Sequence, residues 1–318
     1  MDAAPALGDH MRVLALLLLT TATAHADLNV LIVEGLAGDP KYQQQFDSDV
    51  KAIRAASATL TGAEQVQLLA GEGATRANVA AVLKQLATRL TREDRLILYL
   101  VGHGSHDGQE YKFNIPGPDL NGAELARLLD AIRSESQLVV ATGSSSGALQ
   151  EVLKKDSRIV ITATRSGNER NATHFGGMFA EALGDAATDT DKNGRITAQE
   201  AFDLSVRKVK DYFEAETKLA TEHAQLTGTR ANVFAIAQLA GAAPATSVSP
   251  ELLAEREQLN SRLEDLRLRK DGMNEEEYLQ QLEPLLLQIA ELDARIAAEQ
   301  PAAAGQVTTE TTETGAPP

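Results

Sequence analysis

Residues 95–108 read RLILYLVGHGSHDG, and this stretch decides the fold of the chain. Residues 95–101 form an almost continuous apolar run, which is typical of a strand buried on both faces of a parallel sheet. The run ends in Gly-His-Gly, so the imidazole of His103 stands at the carboxyl end of the strand. Because active groups in open parallel sheets lie beyond the carboxyl ends of the strands, the stretch predicts an α/β fold with His103 in its site.

Similar apolar runs occur on both sides of this strand and alternate with helical stretches. The predicted strands are 29–33, 66–69, 95–101, 137–141 and 158–163. The predicted helices are 42–60, 75–90, 121–132, 147–154 and 175–183. Because each strand is short and each connection is long enough for a crossover helix, the pattern predicts a doubly wound α/β layer from residue 28 to about residue 239.

A second glycine-rich loop follows the predicted strand 137–141 and reads TGSSSG. Glycine permits tight turns and a close approach of the backbone to a ligand. A backbone N–H at such a turn can stabilise a developing oxyanion. A histidine at one strand end and a serine at the next therefore predict an acyl-transfer site. Its candidate residues are His103 and Ser144 as side chains, and Gly104 and Gly143 as backbone donors.

These segments resemble the caspase-like peptidases of clan CD, and among them the legumain-type cysteine peptidases. That family places its catalytic histidine in an apolar strand followed by His-Gly, as in LYLVGHGS at 98–105. Its cysteine ends the next strand in a Cys-x-Ser-Gly pattern, which matches SSSG at 144–147. The similarity continues through YKFNIPGPDL at 111–120 and IVITATRSG at 159–167.

The resemblance implies a caspase-like three-layer sandwich with a mostly parallel central sheet. It also implies that the loop after the predicted strand 158–163 helps to wall the substrate pocket. The binding residues carried over in this way are Arg165, Ser166, Asn168 and Glu169. The ligand class that the resemblance implies is a peptide.

The chain departs from this family at the nucleophile, because Ser144 stands where relatives have cysteine. A thiol has a pKa near 8.5 and ionises readily beside a histidine. A serine hydroxyl needs a tightly bonded general base that a third group orients. The resemblance implies a histidine across the cleft that is not tightly bonded to the nucleophile. We therefore expect a pseudopeptidase that keeps the cleft and binds a peptide or protein.

Two alternative interpretations remain open from the sequence. Residues 143–147 also satisfy G-x-S-x-G, the nucleophile elbow of α/β-hydrolases, with Ser145 as the nucleophile. An active serine hydrolase would then use Ser145, or a residual peptidase would use Ser144 with His103. In the other interpretation the C-terminal helices carry the function and the α/β domain is a platform.

The clearest metal motif lies at residues 189–200, DTDKNGRITAQE, which match D-x-[DN]-x-[DN]-G-x5-E at every fixed position. Ca²⁺ prefers such a cage of oxygen ligands. The predicted ligands are Asp189, Asp191, Asn193 and Glu200 through their side chains, and Arg195 through its backbone carbonyl. The motif predicts a single structural calcium site in an EF-hand-like loop.

Composition limits the remaining function classes. The chain of 318 residues carries a formal net charge of -15, which argues against nucleic-acid binding because phosphate backbones need clustered lysines and arginines. Cysteine is absent, so disulfides, thiolate metal sites and a cysteine nucleophile are excluded.

The two ends of the chain have compositions of their own. Residues 1–26 have the pattern of an export signal whose start is Met11, which predicts a periplasmic or secreted protein without stable membrane insertion. Residues 241–250 form a linker after the domain 27–240, and residues 301–318 a disordered tail. Between them, leucines at coiled-coil spacing in 251–300 predict a helical hairpin that packs on the domain, forms a homo-oligomer or binds a coiled-coil partner.

Overall fold

The structure is a computed structural model that describes residues 27–239, residues 272–299 and eight positions between 252 and 266. The predicted export signal, linker and C-terminal tail lie outside the described residues. Among the described residues, no helix combines the length and apolarity that a membrane crossing requires.

A six-stranded sheet forms the centre of the domain. Its strands, in order across the sheet, are β2 (Val66–Leu69), β1 (Leu28–Glu34), β3 (Arg95–Val101), β7 (Ser136–Ala141), β8 (Arg158–Thr162) and β10 (Gln225–Thr227). All neighbours pair in parallel except β10, which runs antiparallel to β8 at the edge. From β1 the chain continues to β2 on one side of the sheet and then crosses to β3 on the other side of β1. The strand order therefore reverses between β1 and β3. In open α/β sheets, ligands bind beyond the carboxyl ends of the strands at such a reversal.

Helices cover both faces of the sheet. One face packs against α1 (Pro40–Thr61), α5 (Phe175–Ala182) and α6 (Ala198–Ala215), and the other against α2 (Arg76–Arg89), α3 (Gly122–Asp130) and α4 (Leu149–Val152). Each face of the sheet has its own hydrophobic core, and alternate residues of β3 enter the two cores. Tyr99 lies in the core on the side of α1, and Leu98 lies in the core on the side of α2. The structure confirms the predicted caspase-like three-layer α/β architecture.

Local sequence signals explain where the helices begin. The side chain of Asp39 accepts a hydrogen bond from the N–H of Lys41, and Pro40 occupies the first turn of α1. Thr197 and Glu200 form a capping box at the start of α6, in which each side chain accepts a hydrogen bond from the other's backbone N–H. These caps fix two helices that flank the candidate site and the metal motif.

Two smaller sheets were not predicted. The first joins β4 (Gly104–His106), β5 (Tyr111–Phe113) and β6 (Leu120–Asn121) in antiparallel order directly after His103. The second pairs β9 (Arg195–Thr197) with β11 (Ala235–Gln238). Both consist of strands too short to give a periodic pattern in the sequence.

The C-terminal region contains the two predicted helices. The described positions between 252 and 266 are helical, and α7 spans Glu275–Glu299 with Pro284 inside it. The side chain of Asn274 accepts a hydrogen bond from the N–H of Glu277, as expected for a residue that caps α7. Leucines from both helices, among them Leu252, Leu259 and Leu292, form one buried cluster, so the helices pack against each other within the chain.

Candidate functional site

The loops after β3 and β7 meet at one edge of the sheet. Because Leu100 pairs with Ala141, both strands end at the same level. A Cβ added at Gly143 would overlap the carbonyl oxygen of Gly102 and lie 3.0 Å from the backbone nitrogen of Gly104. The two loops therefore contact each other backbone to backbone, and the sequence needs glycine at 143 to permit this approach. The contact places His103 and Ser144 on the same rim of the sheet.

His103 is half-buried against the first turns of α1. Its ring makes edge contacts with Tyr42 and Phe46, at centroid distances of 4.7 and 5.1 Å. This burial lowers the pKa of His103, although a hydrogen bond with the backbone of Ala37 opposes the shift. The shift favours the neutral form of the imidazole. The aromatic residues of α1 carried no recognisable sequence motif and were missed.

The three serines of the second loop point in different directions. The hydroxyl of Ser144 donates a hydrogen bond of 2.8 Å to the carbonyl oxygen of Asn171, so among the described residues its partner is a backbone carbonyl and not His103. Ser145 has a left-handed backbone with φ of 57° and is fully buried. Ser146 lies against Thr164, 3.4 Å from its hydroxyl. Ser144 is 4% exposed and is the less enclosed of the two candidate nucleophiles.

The loop after β8, which carries the four predicted pocket residues, borders these serines. The backbone N–H of Ser145 donates to the carbonyl oxygen of Glu169 at 2.7 Å. The Glu169 carboxylate accepts a hydrogen bond of 2.8 Å from the backbone N–H of Arg165 and lies 3.5 Å from that residue's guanidinium. Ser166 accepts a hydrogen bond from the N–H of Asn168, whose side chain is exposed. The four predicted pocket residues thus lie on one loop beside Ser144.

The same carboxylate holds a histidine that the sequence did not assign to the pocket. Glu169 lies 2.6 Å from Nδ1 of His223 and accepts the backbone N–H of His223 at 3.1 Å. A carboxylate at Nδ1 orients the ring and leaves Nε2 for another partner. His223 is far from Glu169 in sequence, so only the fold reveals the pair.

A buried carboxylate lies beneath the site. Asp49 of α1 contacts the glycine-rich start of α5, where a Cβ at Gly176 would lie 3.5 Å from its Oδ2 and 3.2 Å from Oγ1 of Thr142. Burial raises the pKa of Asp49 to about 7, and the charge of Glu181 adds to the shift. The sequence gave no reason to expect a buried acid here, because Asp49 lies within a mixed polar stretch of α1.

This pKa makes folding stability depend on pH through Asp49. Between about pH 4 and pH 7 the unfolded chain ionises Asp49 while the folded chain keeps it protonated, so stability falls as the pH rises. The unmodified chain should lose free energy of unfolding through Asp49 between pH 5 and pH 8, whereas Asp49→Asn should not. We therefore expect the free energy of unfolding of Asp49→Asn, relative to that of the unmodified chain, to rise by about 2–3 kcal/mol from pH 5 to pH 8. Urea unfolding of both proteins at the two pH values measures this gain. An identical stability difference at both pH values would contradict the prediction.

The calcium motif forms a compact acidic loop before α6. The carboxylates of Asp189, Asp191 and Glu200 offer oxygens that lie within 4.8 Å of one another. Asp189 accepts hydrogen bonds from the backbone N–H groups of Asn193 and Gly194, and Gly194 has a φ of 76°. These features give the turn that the motif requires at its glycine.

Two contacts tie the loop to the rest of the chain. The strand β9 lies inside the motif and pairs with β11. The described residues contain no second loop with this motif, so β11 supports this loop in place of a second one. On the outer side, the guanidinium of Arg256 lies 2.7 Å from both Asp191 and Asp293 and so links the loop to α7.

The family of the chain follows from comparison with known family profiles. The profile of the peptidase C13 family matches residues 48–231, which include His103, the three serines and the loop after β8. No curated protein matches the chain significantly. The crystal structure of protein GSU0716 from Geobacter sulfurreducens is similar, with 16% sequence identity, a TM-score of 0.45, and coverage of 67% of this chain and 98% of that one. The chain therefore belongs to the peptidase C13 family, the legumain family of clan CD.

Proposed function

We propose that the chain is an exported legumain-like peptidase homologue with impaired catalysis, which binds a peptide or protein in the cleft beside Ser144. The observation that carries this proposal is the environment of Ser144. The hydroxyl occupies the family's cysteine position and donates to the carbonyl of Asn171. A serine without a bonded general base is a poor nucleophile. His103 is held instead by Ala37 and the rings of α1.

The cleft keeps groups suited to peptide recognition. Arg165 and Glu169 offer a charge pair beside Ser144, and Glu169 is oriented by backbone N–H groups on two segments. Gly104 and Gly143 bring backbone close to the site, as an oxyanion or carbonyl binding site needs. These groups recognise a peptide backbone and a polar side chain whether or not the serine reacts.

Selection of peptides from a phage-displayed random library on the full chain tests this function. We expect selected peptides to bind and to remain intact after prolonged incubation, as checked by mass spectrometry. Arg165→Ala should weaken their binding by about tenfold, since it removes an exposed charge from the cleft. Arg92→Ala, which removes another exposed arginine paired with a glutamate, is the matched control. Failure to select any peptide, or rapid cleavage of the selected peptides, would overturn the proposal.

The second candidate function is serine hydrolysis, and the Glu169–His223 pair favours it. The pair has the Nδ1–carboxylate geometry of a catalytic triad, and it follows the serines in the chain order of α/β-hydrolases. A fluorophosphonate probe distinguishes the candidates, because it labels activated serines. Labelling that Ser145→Ala abolishes would support the hydrolase with Ser145, and labelling that Ser144→Ala abolishes would support residual use of Ser144.

A structural calcium site completes the proposal. Support comes from the full motif match, the clustered oxygens and the pairing of β9 with β11. The residues that would hold Ca²⁺ are Asp189, Asp191, Asn193, Arg195 and Glu200. Bound calcium would neutralise the carboxylates and stabilise the entry into α6.

We expect saturating Ca²⁺ to raise the melting temperature above its value in chelator. At a calcium concentration 100 times the Kd, the expected stabilisation is about 2.7 kcal/mol. Glu200→Gln should remove most of this calcium-dependent increment, whereas Asp203→Asn, an acid of α6 outside the motif, should keep it. The increment, not the absolute melting temperature, is compared, because Glu200 also forms the capping box. An unchanged melting temperature in excess Ca²⁺ would contradict the site.

Export and assembly remain parts of the proposal. The apolar stretch near the start supports a periplasmic or secreted location. The helical hairpin has a buried seam of its own and an exposed apolar stripe that includes Leu279, Leu286 and Leu287. This stripe supports a role of 251–300 as a surface for a homo-oligomer or a coiled-coil partner.

A further inference from the structure

An apolar cavity of about 470 Å³ lies between α6 and the segment that follows it. This volume is within the usual range of small-ligand sites, about 300–1,000 Å³. Phe175, Val209 and Phe213 form the buried part of its wall. Val206 and Leu219 stand on its edge, where they are 37% and 90% exposed. An apolar ligand in the cavity would cover this almost fully exposed leucine side chain.

The cavity adjoins the loop after β8, which carries the residues of the proposed cleft. His223 lines the cavity, and its ring is bonded to the Glu169 carboxylate of the cleft. Glu222, also in the wall, accepts the backbone N–H groups of His174 and Phe175 at 2.7 and 3.1 Å. These contacts fix residues 222–223 against both the loop after β8 and the start of α5.

Residues 171–175 connect the surroundings of Ser144 to the wall of the cavity. The carbonyl of Asn171 accepts the hydroxyl of Ser144, and the chain then runs to Phe175 in the cavity wall. At about 3.5 Å per residue, these positions are at most roughly 14 Å apart. An extended peptide rises about 3.3 Å per residue, so one with a residue at Ser144 reaches the cavity within about four residues.

We propose that this cavity binds an apolar side chain of the peptide whose main chain lies in the cleft. The ligand class is then a peptide with leucine, isoleucine, valine, methionine or phenylalanine within about four residues of the one at Ser144. Lys210, Lys218 and Glu214 supply both signs of charge around the apolar interior, so the cavity selects for apolar character and not for a charged group. This inference rests on the peptide binding proposed above and names its specificity.

The test uses the peptides selected on the full chain, with affinities measured by fluorescence anisotropy. We expect an apolar residue enriched at one fixed position. Val206→Glu and Leu219→Glu should each weaken binding at least about tenfold. Their matched control is Val152→Glu, at a valine side chain that is exposed elsewhere on the chain. Replacing the enriched peptide residue by asparagine should weaken binding to the unmodified chain, and much less to Val206→Glu.

The outcomes separate this inference from the proposed function. One outcome is that peptides lose affinity for Arg165→Ala but bind Val206→Glu and Leu219→Glu normally. This result would contradict the proposed role of the cavity and would agree with peptide binding in the cleft. Absence of any selected peptide would overturn both. If Val206→Glu instead converts a dimer to a monomer in sedimentation, the cavity is a surface for self-association and the inference is wrong.

Discussion

Replacing Ser144 by cysteine is expected to give the chain endopeptidase activity, with an increase on the order of 100-fold or more over the unmodified chain. A thiol ionises far more readily than a hydroxyl and needs no tightly bonded base. The neutral imidazole of His103 stands on the same rim of the sheet, and the glycines at 104 and 143 already bring the backbone close to the nucleophile position. A fluorogenic peptide library measures the gain without a prior choice of sequence.

Two variants make this expectation specific. Ser145→Cys should remain inactive, because residue 145 is fully buried. Adding His103→Ala to Ser144→Cys should return the activity to background, because the imidazole takes up the proton that the thiol loses and passes it to the leaving amine. Background activity of a folded Ser144→Cys protein would contradict the assignment of Ser144 to the family's cysteine position. Equal activity with and without His103 would contradict the role of the histidine.

Replacing Gly147 by alanine is expected to destabilise the chain by about 3 kcal/mol or more. A Cβ at this position would overlap the backbone carbon of Arg165 and the backbone nitrogen of Ser166, and it would lie 2.5 Å from the carbonyl oxygen of Thr164. Backbone atoms cannot move aside as the end of a flexible side chain can, so the loops after β7 and β8 must separate. The same separation would disturb the cleft between Ser144 and Arg165.

Gly73 provides the matched control for this substitution. A Cβ at Gly73 would meet nothing within 4 Å, so Gly73→Ala should change stability by no more than about 0.5 kcal/mol. Urea unfolding of both variants measures the difference. Similar stabilities for Gly147→Ala and Gly73→Ala would show that the loops after β7 and β8 do not pack as described.

The sequence predicts the central sheet well because burial on both faces leaves continuous apolar runs. The predicted bounds 66–69 and 95–101 coincide with β2 and β3. The predicted strands differ from β7 and β8 by one residue at one end and from β1 by one residue at each end. The short strands β4 to β6 and β9 to β11 were missed, because two to four residues cannot display a period. The pairing of β9 with β11 and of β10 with β8 also joins distant residues, which no local pattern contains.

The site was predictable only where its residues follow strand ends or a spaced motif. His103 and Ser144 follow β3 and β7, and a parallel sheet necessarily brings such ends together. Tyr42, Asp49 and His223 reach the site from a helix and from a late loop, so their roles depend on tertiary packing. Packing also separates neighbours that look equivalent in sequence, since the hydroxyl of Ser144 donates to the carbonyl of Asn171 while Ser145 is fully buried.

The antiparallel strand β10 has a consequence for how the chain is made. It covers the outer edge of β8 through pairing of residues 225–227 with residues 160–162, yet it is synthesised long after β8. Until then, a growing chain presents the unpaired backbone donors and acceptors of a strand that is fully buried in the folded domain, the kind of edge on which aggregation begins. Premature termination before residue 225 would leave that edge permanently open and direct the product to inclusion bodies or proteases.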